Sequence, residues 1–206
     1  MESAELGPSW EFLLKSGHNG GIDVEYYYEA VTDSFSFSDD ADIVPGNYNF
    51  YGISGYYSTP STRLFYVEGD FYGGSFYDGN RLSVGIAPYW NPNAFVNLGV
   101  YYQFNRIDLS NRNQDFVAHI GRLRVVLMFS TSLSFSSFMQ YNSARDVVIM
   151  NFRLRYNPRE GNDLYLVYDE GLNFDRYREI PVLPARKART LLLKYSYTFN
   201  LSFGNK

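Results

Sequence analysis

Residues 189–203 read RTLLLKYSYTFNLSF, and large apolar side chains occupy alternate positions along this stretch. One set of alternate positions is apolar throughout and consists of Leu191, Leu193, Tyr195, Tyr197, Phe199, Leu201 and Phe203. The intervening set is mostly polar and includes Lys194 and Thr198. A period of two places the two sets on opposite faces of a β-strand. A run of about fifteen residues exceeds the usual globular strand and suits a tilted strand that crosses a membrane. We expect the apolar set to face lipid.

The same alternation recurs along most of the chain. Nine further segments are predicted as strands: about 22–32, 47–58, 62–76, 80–90, 94–107, 116–129, 133–142, 146–156 and 163–170. Helical spacing is nowhere sustained, and Gly, Asn, Asp and Pro fall between the segments, as turns require. The sequence therefore predicts an all-β fold, an up-and-down antiparallel transmembrane β-barrel of about ten strands over residues 22–203. The alternative is that these strands are the C-terminal part of a larger barrel.

The connections between the predicted strands alternate in length. The turns near 58–61, 91–93, 130–132 and 157–162 are short, whereas the other set contains the long connections 33–46, 108–115 and 171–188. Outer-membrane barrels have short periplasmic turns and longer external loops. We therefore expect the long connections to be external and residues 204–206 to form a periplasmic tail. Residues 1–21 are expected to be either part of a strand or unstructured.

Composition narrows the classes of function. The chain has 206 residues, 20 Tyr, 17 Phe and a net charge of −4, and its Lys and Arg residues do not cluster. A nucleic-acid partner is therefore not expected. Cysteine is absent, which removes disulfides and thiolate chemistry, and no motif points to a cofactor or to a metal site. No apolar run reaches the roughly 18 residues of a spanning helix, so a membrane location requires strands.

Charged residues fall on the polar positions of the predicted strands. They form a predicted charge cluster inside the barrel, made of Glu25, Glu29, Glu68, Asp70, Arg122, Arg124, Arg153, Arg155 and Lys194. The acids come from early strands and the bases from later ones, so we expect opposite charges to pair across the lumen. A ten-strand barrel of this kind should be mostly filled and should conduct ions poorly.

Aromatic pairs near strand ends form a second pattern. Tyr26–Tyr28, Tyr56–Tyr57, Tyr89–Trp90 and Tyr101–Tyr102 suit the membrane interface, where a ring buries its body and keeps its polar edge in water. Sugar stacking is the alternative role for these rings. The interfacial role is the one we expect for the rings that face lipid.

Two further sites have weaker patterns. His119 lies four residues from Asp115, which would suit a hydrolase with its active site on the external rim. Asp39, Asp40 and Asp42 could offer carboxylate oxygens to Ca²⁺, although they lack the spacing of a calcium loop. We expect neither a catalytic site nor a metal site. A soluble, lipocalin-like ligand-binding barrel is the remaining alternative, because its strands also alternate.

Four segments carry a resemblance to a known family: GSFYDGN at 74–80, FMQYN at 138–142, NFRLRYNPREGNDLYLVYDEG at 151–171 and RTLLLKYSYTF at 189–199. They resemble an uncharacterised family of outer-membrane β-barrel domains from Bacteroidetes-like Gram-negative bacteria. In that family the barrel commonly follows a carbohydrate-binding module of the family-nine type. The resemblance covers most of residues 47–203 and offers no catalytic motif.

The strand alternation and the loop lengths predict a non-enzymatic role as membrane anchor, scaffold or channel component. The resemblance implies a bacterial outer-membrane location and a link to glycan binding or uptake. The expected partners are then the lipid bilayer, lipopolysaccharide and a glycan. The alternating aromatic residues of 191–203 also resemble the signal that outer-membrane insertion machinery reads, so that machinery is a further expected partner.

Overall fold

The computed structural model describes residues 3–38, 41–109 and 114–199, and these residues form β-strands joined by turns and loops. The strands are β1 Ser3–Leu6, β2 Ser9–Leu13, β3 Asn19–Val31, β4 Phe35–Ser38, β5 Ala41–Ile43, β6 Gly46–Ser58, β7 Phe65–Phe76, β8 Gly79–Asn93, β9 Val96–Leu109, β10 Gln114–Met128, β11 Leu133–Asn142, β12 Val147–Arg159, β13 Asn162–Asn173 and β14 Arg186–Tyr197. In this described part of the chain there is no helix that could span a membrane.

One antiparallel sheet contains every strand except β4 and β5. Its order is β1–β3–β6–β7–β8–β9–β10–β11–β12–β13–β14, so from β6 onward each strand pairs with the next one in sequence. The prediction of an all-β, up-and-down antiparallel fold is therefore confirmed. All ten predicted strands are present, with ends that differ by a few residues.

The N-terminal residues extend the sheet beyond the ten predicted strands. β1 and β2 both pair with β3, so they are two halves of one strand interrupted at Gly7 and Pro8. The backbone approaches closely here, because a Cβ on Gly7 would lie 1.8 Å from the carbonyl oxygen of Val24. Only glycine fits such an approach. Pro8 keeps its carbonyl in the ladder by accepting a hydrogen bond from the Val24 N–H at 3.0 Å.

A second small sheet lies in the predicted long connection 33–46. β4 pairs with β5 to form a hairpin between β3 and β6. Ile43, at the end of β5, is fully buried and packs against Ile107 and Leu109 of β9. Aromatic side chains surround this cluster, namely those of Tyr48, Phe76, Tyr77 and Phe116. The largest fully buried side chains of the described residues therefore lie at the end of the sheet where this hairpin folds over.

The pairing register separates each strand into two faces, because residues opposite one another in adjacent strands project to the same side. Leu193 pairs with Leu166, which pairs with Leu154, and the row continues through Phe135 to Leu127. We call this side the apolar face. The opposite side, which contains Lys194 and its partner Tyr165, is the polar face.

The two faces differ in burial. Large apolar side chains on the apolar face stay exposed, as with Leu82, Val84, Ile86 and Val100. In contrast, most of the buried side chains of the main sheet, such as Phe50, belong to the polar face. The polar face is therefore the inner, concave side of the sheet.

Tyrosine rings lie over glycines of neighbouring strands on the polar face. Tyr89 pairs with Gly99, and a Cβ on Gly99 would lie 2.8 Å from the Tyr89 ring. Tyr72 occupies the space above Gly52 in the same way. The missing side chain lets the ring lie flat against the backbone, so these pairs fill the inner surface without widening the sheet.

The two ends of the sheet have the predicted asymmetry. At one end lie the turns 14–18, 59–64, 94–95, 129–132 and 160–161, and at the other lie the connections 32–45, 77–78, 143–146 and 174–185. β1 and β2 form one edge of the sheet and β14 the other. Among the described residues no ladder joins these edges, so closure of the barrel stays a prediction.

Candidate functional site

The nine residues of the predicted charge cluster all lie on the polar face. Glu25 and Glu29 come from β3, and Glu68 and Asp70 come from β7. The bases come from β10, β12 and β14, and they are Arg122, Arg124, Arg153, Arg155 and Lys194. Lys194 lies opposite Tyr165, which lies opposite Arg155 on the next strand. The same register continues the polar face across the whole sheet. The acids therefore occupy one half of this face and the bases the other.

Hydroxyl groups, not cations, contact the carboxylates. The Ser54 hydroxyl donates to Glu25, and the Tyr77 hydroxyl donates to Glu29 at 3.1 Å. Glu68 lies close to Tyr89, and Asp70 lies close to Tyr101. Each carboxylate thus keeps acceptor capacity for another donor, because an ionised carboxylate has about four lone-pair positions.

The bases are held by neighbours on their own half of the face. The Arg122 Nε donates to Gln140 Oε1 at 2.7 Å, and its guanidinium lies 5.0 Å from the centre of the Tyr101 ring. Arg155 forms an ion pair with Asp163 on the adjacent strand, with Nε and Oδ1 2.7 Å apart. Within the described residues, no ion pair joins two of the nine cluster members. The expected pairing of opposite charges across the lumen is therefore not what the structure contains.

A cavity separates the two sets of charges. It has a volume of about 750 Å³ and is lined by Glu68 and Asp70 on one side and by Arg122 and Arg124 on the other. Tyr89 and Tyr101 form part of the wall between them. Gly17, Ser58 and Ser61 also line it, so it lies toward the end of the sheet that carries the short turns.

The cavity and the apolar cluster around Ile43 lie toward opposite ends of the sheet. Tyr77, in the turn between β7 and β8, contacts Tyr48 and Phe50 edge to face, with ring centres 4.9 and 5.0 Å apart. Burial, together with its hydrogen bond to Glu29, raises the pKa of Tyr77 well above the usual value. Packing of this cluster therefore favours the neutral form of the Tyr77 phenol.

The terminal strand has its predicted register as far as it is described. Leu191, Leu193, Tyr195 and Tyr197 lie on the apolar face, and Leu193 is 67% exposed. Phe199 is exposed and lies after the end of β14. Leu201 and Phe203 are outside the described residues, as is the predicted tail 204–206.

The interfacial aromatics divide between the faces. Tyr26, Tyr57, Trp90 and Tyr102 lie on the apolar face. Their sequence neighbours Tyr27, Tyr56, Tyr89 and Tyr101 lie on the polar face. The expected interfacial role therefore applies only to the first set, because a period of two sends adjacent residues to opposite sides.

His119 does not meet Asp115 in a catalytic arrangement. Its ring Nδ1 hydrogen-bonds with the Tyr102 hydroxyl at 2.7 Å, and its ring packs against Phe104 on the apolar face. Asp115 lies opposite Asp108 on the neighbouring strand. In the described chain the imidazole therefore has a phenol, not a carboxylate, as its partner.

The three carboxylates that were weighed as calcium ligands and not expected to form a metal site are only partly described. Asp39 and Asp40 lie outside the described residues, and Asp42 accepts a hydrogen bond from the Ser36 hydroxyl. No group of three or more His, Asp or Glu residues that could hold a metal ion occurs in the part of the chain that the structure describes.

Two residues that support the cavity wall escaped the sequence analysis. Tyr66 stacks on Tyr89 with ring centres 4.5 Å apart, and Gln140 holds Arg122. Their alternation with apolar-face residues indicated that both belong to the polar face. The strand pairing is needed to identify which of the many polar-face residues lie beside the cavity.

The fold and the site together define an up-and-down antiparallel β-sheet protein with an exposed apolar outer face and a charged inner face. No family model matches the sequence, and no curated protein matches it. Among solved structures, the NanC porin in a rhombohedral crystal form has a TM-score of 0.44 and 13% identity, covering 96% of this chain and 94% of that chain. The KdgM porin in complex with disordered oligogalacturonate has a TM-score of 0.38 and 12% identity, covering 96% of each chain.

Proposed function

We propose that this chain forms a closed β-barrel in a bacterial outer membrane and acts as a narrow, non-enzymatic channel for small polar solutes. The observation that carries the proposal is the separation of the sheet into an exposed apolar face and a concave polar face. Exposed apolar surface on this scale would be a liability in water, whereas lipid is its natural environment.

The height of the apolar face matches a bilayer. From Val117 to Leu127, the apolar-face positions of β10 carry no Asp, Glu, Lys or Arg. Ten residue steps at roughly 3.3 Å extend about 33 Å, and a strand tilt of about 40° reduces this to about 25 Å. That height equals the apolar band of outer-membrane barrels, which is about 25 Å.

Most charges on the apolar face lie at the end with the longer connections. They include Arg106 and Asp108 on β9, and Glu170 and Arg189, which pair with Nη2 and Oε1 2.7 Å apart. Such charges suit the headgroup region of lipopolysaccharide, so this end is the external one in our proposal. Tyr57, Trp90 and Tyr197 lie near the opposite end and suit the periplasmic interface.

The inner face supports slow passage of polar solutes. The cavity of about 750 Å³ is charged and open toward the short turns, while the cluster around Ile43 and Leu109 narrows the external end. An aqueous path must pass this cluster, so we expect low conductance. His119 lies on the outer face with Tyr102, so the rim-hydrolase alternative gains no support from its position.

Membrane insertion is tested by refolding the purified chain into detergent and lipid vesicles. We expect folded chain only in the presence of detergent or lipid, with a heat-modifiable shift on gels. A monomer that stays folded and soluble without either would favour the lipocalin-like alternative and contradict the proposal.

Channel activity is tested in planar bilayers containing the same refolded chain. We expect small, steady conductance steps that increase when the external cluster is opened by substitution. Large porin-like steps from the unaltered chain would contradict the narrow lumen.

A further inference from the structure

The cavity on the polar face is crossed by three neighbouring rows of side chains from β7 to β10. One row contains Tyr66, Tyr89, Gly99 and Arg124, each paired with the next. The second row begins with Glu68 on β7, which lies opposite Ala87 on β8. At its other end, Tyr101 on β9 lies opposite Arg122 on β10. Ala87 and Gly99 are the small residues in the middle of two of these rows and line the cavity, and the Tyr89 ring lies over Gly99.

The third row places a carboxylate over a glycine. Asp70 pairs with Gly85, and a Cβ on Gly85 would lie 2.4 Å from Asp70 Oδ1. The carboxylate thus lies across β8, toward the hydroxyl of Tyr101. The glycine at this position is what gives the carboxylate its place in the cavity wall.

The charges of the two sides face the same space without neutralising each other. Glu68 and Asp70 lie close to Tyr89 and Tyr101, and within the described residues neither forms an ion pair. Arg122 is held through its Nε by Gln140, which leaves its terminal N–H groups for other partners. Separated opposite charges produce a field across the cavity, and low-dielectric walls strengthen such a field. Any solute in the cavity is therefore oriented by its own charge distribution.

We infer that this cavity binds a small zwitterionic solute, such as an amino acid or a dipeptide, with its ammonium group at Glu68 and Asp70 and its carboxylate at Arg122 and Arg124. The inference rests on the proposed function and names the solute class of the same lumen. A simple anion meets the guanidinium groups but is repelled by the two carboxylates. A neutral sugar leaves both sets of charges without an ionic partner.

The dimensions agree with a solute of this size. The backbones of β7 and β10 are three strand spacings apart, about 14 Å along the sheet. Side chains from both strands extend into the concave side and shorten the gap between their charged ends. A dipeptide spans at most about 7 Å, and ligand cavities commonly have volumes of about 300–1,000 Å³, which includes the 750 Å³ found here.

The test measures calorimetric binding of four probes to the refolded chain in detergent micelles. Glycylglycine is the zwitterion, N-acetylglycylglycine the anion, glycylglycinamide the cation and glucose the neutral solute of similar size. We expect glycylglycine to bind at least about tenfold more tightly than each of the others, because each end makes charge-assisted hydrogen bonds. Equal or tighter binding of the anion, the cation or glucose would overturn the inference.

Variants assign the binding to the two sides. Arg122→Gln and Glu68→Gln should each weaken glycylglycine binding about tenfold or more, since hydrogen bonds to charged groups are the strong ones. The exchange of all four charges, with Glu68 and Asp70 replaced by Arg and with Arg122 and Arg124 replaced by Glu, reverses the two sides but keeps the net charge. It should retain more binding than either single variant. Arg106→Gln is the matched control, because Arg106 lies on the opposite face of the adjacent strand, and it should bind like the unaltered chain.

The failure of this inference differs from the failure of the proposed function. If the chain inserts into membranes and conducts, but the four probes bind alike or R106Q loses as much binding as R122Q, the zwitterion site is wrong and the channel stands. Each variant must first show the heat-modifiable gel shift, so that loss of binding is not loss of folding.

Discussion

Placing one arginine on the apolar face should destabilise the inserted barrel far more than placing it on the polar face at the same depth. Ile86 lies in the middle of β8 on the apolar face and is 49% exposed. Complete burial of such a side chain contributes about 1.5–3 kcal/mol, so the exposed half contributes about 1 kcal/mol when it contacts lipid. An arginine at the bilayer midplane costs a further 2–4 kcal/mol or so. Ile86→Arg should therefore lower the free energy of unfolding by about 3–5 kcal/mol.

The matched control is Gln103→Arg. Gln103 lies on β9 next to Tyr102, the partner of Ile86, but it faces the polar side opposite Gly85. A guanidinium there stays in the aqueous interior, so we expect a loss below about 1 kcal/mol. Both values come from reversible urea unfolding in lipid vesicles, followed by tryptophan fluorescence. Equal losses for the two variants, or a loss below about 1 kcal/mol for I86R, would refute the assignment of the faces.

Three further predictions concern other parts of the structure. Because the pKa of Tyr77 is raised, its contribution to stability is present below the ordinary tyrosine pKa of about 10 and is lost as the pH rises above it. Hydrogen exchange near the Ile43 cluster should therefore accelerate in alkali, and the acceleration should be smaller in the Tyr77→Phe variant. Ser137 is 5% exposed and its hydroxyl has no hydrogen-bond partner among the described residues, so Ser137→Ala should raise the free energy of unfolding by about 1 kcal/mol, and a loss of stability in urea titration would contradict this. Leu109→Ser should loosen the packing on Ile43 and increase single-channel conductance, whereas unchanged conductance would show that this cluster does not limit the current.

The alternation of apolar and polar residues predicted the strands because each membrane-type strand repeats the same pattern along its length. The clearest case is β14, where Leu191, Leu193 and Tyr195 share one face as expected. The pattern failed for β1 and β2, since each half-strand is too short to show a period and Gly7 interrupts them. The hairpin β4–β5 was missed for the same reason, because its strands have only a few residues each.

The partners of the charged residues could not be predicted from the sequence. The alternation places Glu68 and Arg122 on one face, but whether they meet depends on the number of strands between them. Hydroxyl groups bind carboxylates of the acidic half instead, as the Tyr77 hydroxyl binds Glu29. The pair of Arg155 and Asp163 is different, because a tight turn joins their strands and makes them neighbours whatever the rest of the sheet does.

The most direct test of the membrane-spanning sheet is an accessibility scan along β9 in lipid vesicles. The chain lacks cysteine, so single cysteines placed one at a time over residues 96–105 can each carry a nitroxide label. We predict that labels at Val96, Leu98, Val100, Tyr102 and Phe104 collide with lipid-soluble oxygen, and that labels at the intervening positions collide with a water-soluble nickel complex. Collision frequencies should therefore alternate with a period of two, in opposite phase for the two reagents. Labels that all report water, or that show no alternation, would contradict a sheet with lipid on one side and an aqueous lumen on the other.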